Sequence, residues 1–150
     1  MHSSKQILLI ILTITAITIG LVACQPAAEG PQIEISSAWG RPSPMTAGNG
    51  AAYMVIENTG NEDDLLISAK SDVSEVVELH DMTMEDDIMK MFQVENIAIP
   101  AGGSAELKPG SKHVMFIGLY DKLEAGQVIS VTLEFEKSGT QTIEVEIREE

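Results

Sequence analysis

"VISVTLEFEKSGTQTIEVEIREE", residues 128–150, places its apolar side chains at alternate positions. Ile129, Val131, Leu133 and Phe135 fall on one face of an extended chain, with Ser130, Thr132, Glu134 and Glu136 on the other. Beyond a turn signal at "SGT" (138–140), Ile143, Val145 and Ile147 repeat the scheme. A helix would scatter this set around its circumference, whereas a strand with one buried and one wet face collects it. Two such strands across a short turn predict an antiparallel pair lying on a core.

The same period extends back along the chain. Further strands are expected near 33–39, 50–57, 65–70, 75–84, 88–97, 104–108 and 113–119. Turn-forming clusters separate them: "GRPSPMTAGNG" (40–50), "NTGNEDD" (58–64), "IPAGG" (99–103) and "KPGS" (108–111). No window of eleven or more residues after residue 32 carries a helical stripe. Many short strands with regular turn signals predict an all-β sandwich or barrel, and 150 residues suffice for one such domain.

The first residues do not belong to that domain. "MHSSKQ" carries one positive charge, and "ILLIILTITAITIGLV" follows with none. A basic start, an apolar run and small residues at its end make a secretory signal, and a run of sixteen uncharged residues falls short of a spanning helix. Leu21-Val22-Ala23-Cys24 resembles the lipobox of bacterial lipoproteins, which implies lipidation of Cys24, the only cysteine in the chain. The expected organisation is a signal peptide over 1–23, a tether over 24–32 and a single domain over 33–150. The protein is expected outside the cytoplasm, held to a membrane of the cell envelope only through its lipid.

Without Lys5, eight basic residues stand against 23 acidic ones, a net charge of −15. Such a balance argues against nucleic acid, which rewards basic patches, and against docking on anionic lipid. It suits solubility and the attraction of cations or a basic partner.

Histidine is scarce after the signal: only His80 and His113 remain. Five of the seven methionines that follow Cys24 lie between residues 82 and 115. In "ELHDMTMEDDIMKMFQ" (78–93), a hairpin with Asp86-Asp87 at its tip would oppose Met84 to Met89, Met82 to Met91 and His80 to Gln93. Those residues would then share a face, and Met91 would lie diagonal to His80. A different loop length would turn one strand over. His113 and Met115 share a face on their own strand, so a third strand beside the hairpin would gather two imidazoles and two or three thioethers. Neutral, soft donors of this kind suit Cu(I), and suit zinc, calcium or magnesium poorly. Only the imidazoles compete for protons, so affinity is expected to fall below about pH 6.5.

The spacing His80, ten residues, Met91, twenty-one residues, His113, one residue, Met115 resembles the H-x10-M-x21-H-x-M pattern of the periplasmic copper chaperones called PCu(A)C. "AAYMVIENTG" (51–60), "IPAGGSAELKPGSKHVM" (99–115) and "FIGL" (116–119) resemble that family as well. The resemblance covers residues 33–148. It implies a cupredoxin-like Greek-key β-sandwich, a Cu(I) site ligated by His80, Met91, His113 and Met115, and copper delivery to the binuclear centre of cytochrome c oxidase subunit II, alongside a Sco-type thioredoxin-like protein. Met82, Met84 and Met89 lie outside the pattern and read as an auxiliary metal or hand-over surface, with hairpin packing as the plain alternative. The chain ends in "IEVEIREE", without the His- and Met-rich tail that some members carry.

Other functions fit less well. A blue-copper electron carrier needs a thiolate, and Cys24 lies outside the domain. A storage or resistance protein would bind the same ion without a dedicated client. An adhesion or assembly sandwich would leave the histidines and methionines without a task. An enzyme is not expected, since no nucleophile–base arrangement or carboxylate pair stands out.

Overall fold

The computed structural model describes residues 30–43 and 48–149; the signal, Cys24 and most of the tether lie outside the described residues. Ten strands follow one another: β1 (Ile33–Gly40), β2 (Asn49–Asn58), β3 (Asp64–Lys70), β4 (Ser74–Glu85), β5 (Ile88–Gln93), β6 (Ile97–Ile99), β7 (Ser104–Leu107), β8 (His113–Leu119), β9 (Val128–Phe135) and β10 (Gly139–Ile147). Among the described residues there is no helix.

Hydrogen bonding runs β5-β4-β8-β2-β1-β10-β9-β3-β6, with β7 pairing β2 beyond the end of β8. Every pair is antiparallel except β1 with β10, which join in parallel at Trp39–Glu146 and Gly40–Ile147. That parallel seam divides the path into two wings. The chain leaves one wing for the other after β2, β3, β5, β6 and β8, and contacts of β3 with β4 and of β6 with β7 close the wings on each other. The result is the expected cupredoxin-like β-sandwich.

Between the wings lies the core that the alternation predicts. Ile129, Val131, Leu133 and Phe135 of β9 are all buried, as are Val145 and Ile147 of β10. They meet Leu66 of β3, Ile97 and Ile99 of β6, and Met54, Leu79, Val114 and Phe116 from the other wing. Each large apolar side chain so buried contributes about 1.5–3 kcal/mol against the entropy of ordering the chain. With Leu79, Val114 and Phe116 turned inward, their neighbours His80, His113 and Met115 must project from the opposite face of the β4–β8 pair.

Two details differ from expectation. The strand expected over 88–97 is two strands in different wings. Val94 donates its N–H to Leu79 O as the last bond of the β4–β5 ribbon (2.9 Å), after which Glu95-Asn96 carry the chain across to pair Ile97–Ile99 with β3. The last hairpin turns at residues 136–138 rather than 138–140, because Gly139, at φ +77°, already pairs with Phe135.

Asp64 pins that hairpin to β3. Its buried carboxylate accepts hydrogen bonds from the N–H groups of Leu65 (2.8 Å), Lys137 (2.9 Å) and Ser138 (3.0 Å) and from the Ser138 hydroxyl. Burial alone would raise its pKa, but these donors outweigh burial and hold it below the ordinary carboxylate value. Because the folded value is the lower one, the stabilisation is present above the unfolded pKa of about 3.9 and is lost as pH falls through the folded value. Asp64→Asn is expected to lower stability at pH 7 by about 1–3 kcal/mol in urea denaturation, and to flatten the loss of stability of the parent protein below pH 4. An unchanged midpoint would show that the carboxylate does not hold the turn.

Candidate metal centre

The hairpin β4–β5 has the register expected from a two-residue tip: Glu85 opposes Ile88, Met84 opposes Met89, Met82 opposes Met91 and His80 opposes Gln93. Asp86 and Asp87 lie at φ 50° and 61°, the left-handed pair that a type I′ turn demands. Asp is among the few residues besides glycine that tolerate this conformation, so the local sequence supports the tip. On the other side of β4, His80 pairs directly with His113 and Glu78 with Met115. The three strands therefore present Glu78, His80, Met82, Met84, Met89, Met91, His113 and Met115 on one face.

The two imidazoles touch, with ring centroids 5.7 Å apart. His113 is only 3% exposed, and its Nδ1 lies 2.8 Å from Ser111 O. A carbonyl can only accept, so Nδ1 carries the proton and Nε2 keeps its lone pair in the neutral ring. Burial pushes the His113 pKa below its ordinary value; the bond to Ser111 opposes this, His80 adds to it, and Asp81 opposes it. The ring thus stays neutral, and able to donate, to lower pH than an exposed histidine.

His80 is held the opposite way round. Its Nε2 lies 2.7 Å from a Glu78 carboxylate oxygen, which fixes the ring proton on Nε2. Nδ1 is buried and, among the described residues, has no hydrogen-bond partner. A buried lone pair with nothing to accept from is costly, and a metal ion would satisfy it. Carboxylate, imidazole and vacant nitrogen are the parts of a carboxylate–histidine–metal arrangement, in which the acid orients the ring and raises its basicity.

A cleft of ≈ 520 Å³ opens on this face, lined by Met82, Met89, Met91, His113 and Met115 together with Tyr53, Arg41, Pro42, the Asn49–Ala51 stretch and the Pro109-Gly110 loop. Three of the four expected ligands, Met91, His113 and Met115, line it. His80 does not line it and lies against His113. Met84 also lies off the cleft, out on the hairpin. Tyr53 tilts against His113 at 6.3 Å and against Trp39 at 4.7 Å, and the Arg148 guanidinium lies over Trp39 at 5.6 Å, so an aromatic wall backs the imidazole. Among the described residues no group of three or more His, Cys, Asp or Glu is placed to hold an ion; the soft donors lining the cleft are the His113 imidazole and the thioethers of Met82, Met89, Met91 and Met115.

Sequence reasoning missed Glu78, Ser111 and the Trp39–Tyr53 wall. Glu78 was within reach, because two residues before His80 on a strand means the same face. Ser111 lies in the loop before β8, and the wall comes from β1 and β2, which only the sheet order brings beside β8.

Comparison with known proteins agrees with this architecture. Residues 33–147 match the LpqE-like family. "Putative lipoprotein Lxx21020" of Leifsonia xyli subsp. xyli is 32% identical, over 91% of this chain and 87% of that protein. Among solved structures, the copper-bound PCuAC domain from PmoF2 shares 25% identity at a TM-score of 0.68, covering 82% of this chain and 97% of that domain. The solution structure of Cu(I)-DR1885 from Deinococcus radiodurans, at 24% identity and a TM-score of 0.59, covers 84% of this chain and 85% of its own and shares the fold. With the family match spanning almost the whole β-sandwich, the chain belongs to the LpqE-like family, on the fold of PCuAC domains.

Proposed function

We propose that this domain is an extracytoplasmic copper chaperone that binds Cu(I) through His80, Met91, His113 and Met115 and passes it to a client. The observation that carries this reading is the buried Nδ1 of His80, without a hydrogen-bond partner among the described residues and set against the ring of the buried His113, whose own free nitrogen is fixed by Ser111. Two neutral nitrogens beside neutral thioethers form a donor set for a soft d¹⁰ cation. The copper bound by the PmoF2 domain and the Cu(I) of the DR1885 structure support the same ion here. The lipobox at Cys24, with the lipoprotein name of the Leifsonia relative, supports anchorage to a membrane of the cell envelope.

Cargo of this kind is released by ligand exchange rather than by redox chemistry. The bound ion would bring one positive charge into an acidic protein, and each donor could leave without taking or giving up a proton. Thioethers are the weaker donors and line an open cleft, so they leave first, while the imidazoles, braced by Glu78 and Ser111, hold the ion longest. A client offering thiolates or imidazoles then completes the exchange. The binuclear copper centre of cytochrome c oxidase subunit II is the client we assign, with a Sco-type protein alongside.

In anaerobic competition against a Cu(I) chelator, His113→Ala is expected to weaken binding more than Met91→Ala or Met115→Ala. Unchanged affinity in His113→Ala and Met115→Ala would remove the site. Mixing Cu(I)-loaded protein with the apo soluble domain of subunit II under reducing conditions is expected to move copper to the latter. Retention of the ion would exclude that client and favour storage.

A further inference from the structure

Among the described residues β5 is an edge strand that pairs only with β4, and all six of its residues are exposed. Met84 is 60% exposed and Met89 50%, so neither is there to fill a core. Methionine is not among the residues that favour strands, and β-branched residues would build this hairpin better. Packing and propensity thus leave these methionines unexplained.

Their register is informative. The bond from Val94 N to Leu79 O marks 79–94 as a hydrogen-bonded pair. Counting toward the tip, 81–92, 83–90 and 85–88 are hydrogen-bonded pairs too, so Met82–Met91 and Met84–Met89 occupy the two pairs between. At such non-hydrogen-bonded positions the backbones approach most closely, about 4.5 Å between Cα atoms, and side chains meet most directly. Four thioethers therefore stand as two facing pairs in a ladder on one side of the ribbon. Its inner rung, Met82 and Met91, lines the cleft, and its outer rung extends from Met89, which also lines it, to Met84, which does not. Asp86 and Asp87 at the tip add negative charge beside the outer rung, while Glu85 is ion-paired with Lys90.

The geometry points to a second, thioether-only site for a soft monovalent cation at the outer rung, built from Met84 and Met89, with Met82 within reach as a third donor. It rests on the reading of the inner face as a Cu(I) site and extends it: the outer rung would take up or release the ion next to the cleft. An ion would pass inward by exchanging one thioether for another, with no proton or electron moved, and the outer site would bind more weakly because it lacks imidazole.

The test is an anaerobic titration of protein labelled with ¹³C at the methionine methyl groups, with Ag(I) as a redox-inert probe and Cu(I) in parallel. The first equivalent is expected to shift the Met91 and Met115 methyls. The second is expected to shift the Met84 and Met89 methyls. In Met84→Leu, which keeps the apolar bulk and removes the sulfur, stoichiometry is expected to fall from two to one with the first event intact. Met89→Leu is expected to lose the second event as well. A first event without a second in the parent protein, or a second event that survives both substitutions, overturns the outer site while leaving the inner one standing. Failure to bind any equivalent overturns both.

Discussion

Asp86 and Asp87 control whether Met89 and Met91 of β5 share a face with His80. Held in the left-handed region, they close β4 on β5 with an even two-residue tip, and every side chain beyond takes its face from that choice. On the other edge of β4, Leu79, Val114 and Phe116 lock the pairing with β8, since they can be buried only in this register. A slip of one residue on either side would turn the imidazoles or thioethers to the wrong face and drive polar rings into the core. The site is thus a consequence of how the core is packed. The hydrophobic side of each strand pays for the register, and the outer side inherits it.

The electrostatics follow from two hydrogen bonds of opposite sense. His113 donates its Nδ1–H to Ser111 O, and His80 donates its Nε2–H to the Glu78 carboxylate. Each ring keeps one lone pair, and neither needs to ionise to donate. The chain as a whole is acidic, which favours a cationic cargo, and among the described residues no carboxylate lines the cleft. That separation between attraction and ligation favours a soft ion over a hard one.

Much of this was legible in the chain. Alternation in 128–147 placed β9 and β10 and their buried residues, and the acidic pair at 86–87 placed the hairpin tip and its register. The split of 88–97 into β5 and β6 was not legible, because the alternation continues through Val94 and only the polar Glu95-Asn96 step betrays a change of wing. Within the site, the alignment of His80 with His113 depends on β4 pairing β8 across 33 residues of chain, which no local pattern specifies. The position of His80 behind His113, off the cleft itself, likewise comes from the depth of the sheet rather than from spacing.

Whether two nitrogens and two sulfurs meet on one ion is the central claim, and X-ray absorption at the copper edge of anaerobically loaded protein tests it directly at one equivalent. The account predicts a first shell of two nitrogen and two sulfur neighbours, with one nitrogen lost in His80→Ala. A shell without nitrogen, or one that is unchanged when His80 is removed, would contradict it.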